Sequence, residues 1–404
     1  VTVPASHHPT GQSDSQRVRA RIYALTDVGR TREHNEDAFL VADLETGAAL
    51  DFEAGAIDLG AGAHGVLFIV ADGMGGAASG ELASSMATSL ILEALRASWR
   101  PSEPHAVTFA EALRDATVNA NRRIHQHARE NPEHRGMGTT ATIAGLFGDR
   151  LYLVQVGDSR AYLVRDGSAQ MLTKDQSLMQ RLVEAGELTP EEAERSERRN
   201  IILQALGPEP QVTVDLTHQQ LRTGDILVLC SDGLSGQVKA DEIAYLAQSE
   251  GDVSTMCQQL IDRANARGGP DNITVIGVRF DGAALRRIES GDTFGYTVYP
   301  LAGTLNDTAR EQTMSRTPRT PQNVIKSDPT PRFGTRTPTP GAIDAARQRV
   351  EPPLQSFAED GPQILGLPDP LVQERRERAQ PIYVGLGLVA VAAIGFAVWS
   401  LLKK

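Results

Sequence analysis

Five aspartates stand where apolar runs of the chain begin or end. Asp72 follows Val66-Leu67-Phe68-Ile69-Val70-Ala71 and opens Asp72-Gly73-Met74-Gly75-Gly76, while Asp232 follows Ile226-Leu227-Val228-Leu229-Cys230-Ser231 and precedes Gly233. Asp158 lies in the short link Gly157-Asp158-Ser159-Arg160. Asp271-Asn272 comes after Gly268-Gly269-Pro270 and just ahead of an apolar run, and Asp37 closes Arg32-Glu33-His34-Asn35-Glu36-Asp37. Any single Asp-Gly is an ordinary turn, because Asp hydrogen-bonds its own backbone and Gly accepts positive φ. A set of such acids poses a different problem: if the strand ends converge, the carboxylates repel one another and need a counter-charge. No matching set of lysines and arginines lies in the same loops. Oxygen ligands, with glycines that let a backbone carbonyl approach, suit hard divalent cations, Mg²⁺ or Mn²⁺, rather than zinc. Two such ions could share one carboxylate.

The elements that must position these acids are legible as patterns. Strand candidates are Ile22–Thr26, Ala38–Ala42, Val66–Ala71, Thr140–Phe147, Leu151–Val156, Ala161–Arg165, Val212–Leu216, Ile226–Cys230 and Ile273–Phe280. Several follow one another without an intervening helix, as antiparallel sheets require. Leu82, Met86, Leu90 and Ala94 repeat every four residues, and Ala110, Leu113, Thr117, Ala120 and Ile124 alternate three and four, so two amphipathic helices follow the third strand. Two more, around Asp241–Gln248 and Ser254–Arg267, precede the last strand. Strands with helices segregated in pairs predict an α+β fold of two packed antiparallel sheets flanked by helices. Asp175–Arg199 reads as a helical insertion and Ala48–Ala63 as a Gly/Ala-rich loop.

Composition bounds what the chain can be. Its 404 residues are 40% apolar and 23% charged, near globular averages, and the net charge of −11 argues against a nucleic-acid partner, which needs a cationic face. The two cysteines, Cys230 and Cys257, have no C-x-x-C spacing, so neither a disulfide framework nor a zinc knuckle is expected. The nine histidines show no ligand spacing, and His125 and His127 point apart on their helix. Residues 1–17 are expected to be disordered, with nothing at Val1–Ser15 that reads as a secretory signal. Twelve of the 22 prolines fall between Pro300 and Pro370, which predicts a Pro/Thr-rich disordered linker over 284–380. The stretch Gly303–Val350 carries a net charge of +4, leaving −15 for the rest of the chain. Two readings of the linker stand: a solvated spacer, or a phosphoacceptor segment whose threonines at Arg316-Thr317-Pro318 and Arg336-Thr337-Pro338 lie open to a kinase. Ile382–Leu402 is uncharged and apolar, long enough at about 1.5 Å per residue to cross about 30 Å of hydrocarbon as a transmembrane helix. Arg375, Arg376 and Arg378 before it outnumber Lys403 and Lys404 after it, which predicts residues 1 to about 380 on the cytoplasmic side.

The acidic set, in this order, resembles the metal-dependent Ser/Thr protein phosphatase family (PPM, type 2C), in particular its bacterial branch, over about residues 20 to 282. The residues that carry the resemblance are Arg32 with Asn35-Glu36-Asp37-Ala38, Asp72-Gly73-Met74-Gly75-Gly76, Gly138-Thr139-Thr140, Gly157-Asp158-Ser159-Arg160, Ser231-Asp232-Gly233 and Gly269-Pro270-Asp271-Asn272. The resemblance implies a catalytic domain over 18–283 folded as an α/β/β/α four-layer sandwich. It further implies a site with two Mn²⁺ or Mg²⁺ ions and a third, weaker one. Asp72 would bridge both ions, Gly73 would offer its carbonyl to the second, and Asp232 and Asp271 would complete the first. Asp37, with Glu36, would hold the second ion or the waters around it, Asn272 would support the ligands from behind, and Asp158 with Asp232 would hold the third ion.

In that reading a water bridging the ions, its pKa lowered, attacks phosphoserine or phosphothreonine in a protein substrate, and Arg32 clamps the phosphoryl oxygens. The insertion at 175–199 corresponds to the family's flap beside the cleft. Two departures stand out. Met74 replaces a histidine that animal members use as the leaving-group acid, and Gly236 stands where some relatives carry an aspartate for the third ion. The anchor and the Arg-Thr-Pro threonines further predict a membrane-bound Ser/Thr kinase as partner. Two alternatives are a catalytically weak phosphoprotein-binding scaffold and a two-metal hydrolase of small phosphoesters.

Overall fold

Strands buried on both faces require layers on both sides. Along β5 (Val66–Met74), Val66, Phe68 and Val70 enter one core while Leu67, Ile69 and Ala71 enter another. The same division runs through β12 (Ile226–Cys230), where Leu227 and Leu229 face one core and Ile226, Val228 and Cys230 a third. A computed structural model, which describes residues 17–99, 106–289 and 291–300, shows how these faces are covered.

Two antiparallel sheets pack face to face. One has the order β10-β9-β12-β13-β1-β4, formed by β1 (Arg19–Asp27), β4 (Ile57–Gly60), β9 (Arg160–Arg165), β10 (Ser168–Met171), β12 and β13 (Ile273–Asp281). The other has the order β11-β8-β7-β5-β2-β3, formed by β2 (Asp37–Asp43), β3 (Ala48–Ala49), β5, β7 (Ala141–Phe147), β8 (Arg150–Val156) and β11 (Asp215–Gln220), with the short β6 (Gly138–Thr139) paired to the end of β5. Between the sheets lies a core built on Phe68, Ile22, Leu153, Leu229 and Phe280. Helices α1 (Ala77–Ser98) and α2 (Ala106–Glu130) cover the outer face of the second sheet through Ile91, Leu95, Leu113 and Ile124. Helices α6 (Ala240–Ser249) and α7 (Val253–Ala266) cover the first through Ile243, Leu246, Met256 and Leu260. The α/β/β/α order expected from the sequence is the order found. The insertion after Asp175 forms two short helices, α3 (Leu178–Glu184) and α4 (Pro190–Arg195), and is closed at its root by a bridge between Ser177 and Ile202. A final one-turn helix, α5 (Asp232–Ser235), follows β12.

Three expectations need correction. The presumed loop 48–63 contains β3 and β4, and β4 (Ile-Asp-Leu-Gly) is a four-residue edge strand, too short to stand out from the Gly/Ala-rich residues around it. The strand expected at Val212–Leu216 is shifted to Asp215–Gln220, because its register follows pairing with β8 (Asp215 opposite Gln155) rather than the local apolar pattern. The first part of the linker expected over 284–380 packs on the sandwich. Leu285 is buried in the inter-sheet core, Tyr299 in the helix-covered core, and Val298 bridges Thr217 of β11. The expected N-terminal segment up to residue 16, the linker from 301 and the apolar run 382–402 lie outside the described residues. Among the described residues no helix is long and apolar enough to cross a membrane.

Candidate metal centre

Sheet pairing brings the acids to one end of the sandwich. In the β2–β5 ladder Asp37 is the direct partner of Asp72. In the facing sheet, β12 and β13 pair with Cys230 opposite Val275, so that Ser231-Asp232 leaves β12 beside the point where Asp271-Asn272 enters β13. Asp158 sits in the link from β8 in one sheet to β9 in the other. Asp72 feels, after its own desolvation, the charges of Asp37, Asp232, Asp158 and Asp271 in that order. All five acids named from the sequence therefore share one electrostatic site.

Neutral side chains fix their positions. Thr274 Oγ1 donates to Asp37 Oδ2 at 2.7 Å and pairs with Thr26 Oγ1 at 2.7 Å, joining the two sheets under the site. Thr140 Oγ1 accepts from the Asp72 amide at 2.9 Å and lies 2.8 Å from Ser159 Oγ, next to Asp158. Asn272 is a clasp: its Oδ1 accepts from the Glu36 amide, and its Nδ2 donates to the carbonyls of Val28 and His34. Glu36 in turn offers its carbonyl to the Gly73 amide at 3.1 Å. Backbone crowding explains Gly73, since a Cβ there would run into the carbonyls of Gly80 and Glu36. Gly75, at φ +115°, takes a conformation that L side chains avoid.

Burial and mutual repulsion hold protons on the acids. Desolvation first, and neighbouring carboxylates second, push Asp158 up to about 8 and Asp72 well above the usual carboxylate range. Asp37 is pushed up to about 7 by burial, against the bonds from Thr274 and Ser231 that favour its ionised form. Asp232 is raised by burial and then by Asp271, and Glu36 is raised mainly by burial. Asp37 Oδ1 and Asp232 Oδ1 are buried without any hydrogen-bond partner, a costly state for a carboxylate. Cations would relieve both conditions.

The donor set fits hard divalent ions. It consists of the carboxylates of Asp37, Asp72, Asp158, Asp232 and Asp271, with no Cys or His side chain among them, which favours Mg²⁺ or Mn²⁺ over zinc. Among the described residues no three His, Cys, Asp or Glu side chains are gathered tightly enough to form a ready-made cage around one ion. Mg²⁺-like ions need no such cage, because they keep several waters and take only one or two carboxylates each.

Arg32 stands at the rim with its side chain about half exposed, and its Nη2 donates to Asp271 Oδ2 at 2.7 Å. The guanidinium is thus already beside the acids. On the other flank Arg160 makes a bidentate pair with Asp175, at 2.7 to 3.1 Å, at the root of the α3–α4 insertion. Sequence reasoning singled out neither Asp175 as a partner nor Thr274 as a support. Thr274 is 237 residues from Asp37, and no local pattern links them. His125 lies outside this cluster, on Gly207 O at 2.8 Å, and the His127 ring lies against His134.

Residues 56–273 match the family model "Protein phosphatase 2C". The chain is 36% identical over 255 residues to the Serine/threonine phosphatase stp of Listeria welshimeri, covering 62% of this chain and 92% of that protein. It is 40% identical over 258 residues to the Serine/threonine protein phosphatase PstP of Mycobacterium tuberculosis, covering 63% of this chain and 44% of that longer protein. Its fold superposes on the crystal structure of the PstP catalytic domain in complex with two manganese ions, at TM-score 0.51 and 34% identity, over 65% of this chain and 99% of that one. The shared sandwich, the clustered acids and the matched residues lead to one conclusion: this chain belongs to the protein phosphatase 2C family.

Proposed function

We infer that the protein removes phosphate from phosphoserine and phosphothreonine in proteins at a site for two Mn²⁺ or Mg²⁺ ions. The observation that carries this reading is the gathering of a desolvated Asp72 with four other carboxylates, with orphaned oxygens on Asp37 and Asp232. The likeness to Ser/Thr phosphatases, one of them solved with two manganese ions, supports the substrate and the metal.

In this proposal Asp72, Asp232, Asp271 and the Gly73 carbonyl would hold the two ions, Asp37 and Glu36 would act largely through water, and Asp158 with Asp232 would hold a third, weaker ion. When bound, the ions would screen the phosphate charge and make water nucleophilic at neutral pH. The protein's own groups do the rest. Thr274, Thr140 and Asn272 hold Asp37, Asp72 and the Glu36 segment in place. Arg32, half exposed and tethered by one bond to Asp271, is free to swing onto phosphoryl oxygens with its forked donors. Met74 carries no transferable proton, so the leaving alkoxide takes its proton from elsewhere.

The proposal extends to location and partner. The apolar run 382–402 would hold the protein at a membrane with the phosphatase on the cytoplasmic side, and a membrane-bound Ser/Thr kinase would supply its substrates. Support for this comes from the hydropathy of the run, the excess of arginines before it over lysines after it, and the Arg-Thr-Pro threonines.

The test is turnover of a phosphothreonine peptide by the full chain with Mn²⁺, compared with a nucleotide and an aryl phosphate. Chelator-sensitive hydrolysis with the highest kcat/KM on the peptide is expected. Preference for the nucleotide would favour a small-phosphoester hydrolase, and tight peptide binding without turnover would favour a scaffold. Loss of the protein from membrane fractions on deleting 382–402 would check the anchor.

A further inference from the structure

The chain that continues past β13 is a strap, and it ends against the flap. After Gly282 the backbone turns back across the sandwich. Leu285 enters the inter-sheet core, and the Thr223 amide donates to Arg286 O at 2.9 Å. Arg222 then grips Asp292 with two bonds of 2.7 and 2.8 Å. Phe294 lies under the Arg165 guanidinium at 5.0 Å, and Arg165 is itself locked to Asp225 in a buried ion pair. Beyond that point Thr297 O and the Tyr299 amide pair with His218 and Leu216 of β11, extending the edge of the second sheet. A covered edge is protected from pairing with other chains, which accounts for Thr297 to Tyr299 but leaves Tyr296 unexplained.

Tyr296 faces the flap. The Lys174 ammonium sits 4.8 Å from its ring centroid and also pairs with Glu184, the last residue of α3, at 3.1 Å. Lys174 adjoins Asp175, which holds Arg160 beside Asp158, and Gln176 exchanges bonds with both polar backbone groups of Gly157. Lys174 therefore joins the strap to the first flap helix, and its chain neighbours Asp175 and Gln176 tie the same segment to the loop that carries Asp158.

We propose that Tyr296, through Lys174, is a positioning residue that sets the flap for protein-sized substrates. The proposal rests on the phosphatase reading for its consequence in KM, though not for its consequence in flap mobility. Its physical content is that the aromatic face fixes the ammonium where it also reaches Glu184, so that α3 is held at one angle to the cleft. The contacts are partly exposed and individually weak. The expected effects are correspondingly moderate, and a small aryl phosphate that does not touch the flap should be blind to them.

The experiment uses the full chain with Mn²⁺ and the variants Tyr296→Ala, Tyr296→Phe, Lys174→Met and the double Tyr296→Ala/Lys174→Met. Limited trypsinolysis after Arg195, Arg198 and Arg199 of the flap should be about 2- to 5-fold faster in Tyr296→Ala and Lys174→Met than in the parent. KM for a phosphothreonine protein should rise by a similar factor, with kcat on the aryl phosphate unchanged. Tyr296→Phe keeps the π face and should behave as the parent, and the double variant should be no worse than either single. Parent-like proteolysis in Tyr296→Ala, impairment of Tyr296→Phe equal to that of Tyr296→Ala, or an equal fall on both substrates would overturn the proposal. A parent that hydrolyses the aryl phosphate and no phosphoprotein would defeat the functional reading instead, and the proteolysis would still decide the role of Tyr296.

Discussion

Asp37 and Asp72 are direct partners in an antiparallel ladder, a buried and a half-buried carboxylate facing each other across adjacent strands. Like charges at such positions destabilise a sheet, and the surrounding acids add to the strain. The fold tolerates the pair by leaving protons on it or, in the proposed function, by binding cations.

The first prediction concerns pH and metal. The unfolded chain ionises its aspartates near 3.8, whereas Asp37 and Asp158 keep protons in the folded, metal-free protein to about 7 and about 8. Folding then takes up protons between these values, so metal-free stability is fullest at acid pH and falls as pH rises from about 4 to about 8. Melting curves in a chelator should show this decline. Added Mn²⁺ should raise the Tm most at the alkaline end, where its ligands are already ionised. A flat chelator profile would contradict the clustering of these charges.

Asp72→Asn separates stability from activity. An amide needs neither a proton nor a counter-charge there, so the variant should stabilise the metal-free protein at pH 8, by about 1 kcal/mol, while costing about 1,000-fold or more in kcat. Denaturant midpoints and phosphopeptide assays on the same preparation check both halves. Equal losses in both would mean that Asp72 is a structural residue.

For Arg32 the prediction is a change in kinetics without a change in stability. Its side chain is about half exposed, so its pair with Asp271 adds little to folding. Arg32→Lys keeps the charge but loses the fork, and should lower kcat/KM about 10-fold or more with a Tm shift close to zero. A fully active Arg32→Lys enzyme would remove the phosphate clamp from the mechanism.

Asn272→Ala should harm both properties. The side chain is buried and makes three bonds, to the amide of Glu36 and the carbonyls of Val28 and His34. Leaving those groups unpaired should cost about 2–3 kcal/mol of stability and weaken Mn²⁺ binding about 10- to 100-fold. Calorimetric titration with Mn²⁺ reads the second effect independently of turnover.

Much of this architecture is written in local pattern. Continuous apolar runs such as Val66–Ala71 and the four-residue repeat from Leu82 to Ala94 specify strands and helices because burial acts on neighbours in sequence. Edge elements escaped this logic. β4 and β10 have one paired side and few residues to bury, and β11 takes its register from β8 instead of from its own polar sequence. The strap at 284–299 escaped for a related reason: its two anchors, Leu285 and Tyr299, enter different cores and are separated by residues that read as linker.

By itself the sequence determined the chemistry of the site, since five aspartates with glycines and no matching set of bases call for hard cations wherever they meet. Only the tertiary structure decided that Thr274 steadies Asp37, that Asn272 clasps the Glu36 segment, and that Tyr296 reaches Lys174. The physical reason is range. Ligand type is a property of single residues, whereas hydrogen-bond and ring contacts between residues more than 100 positions apart arise only after sheets have paired and packed.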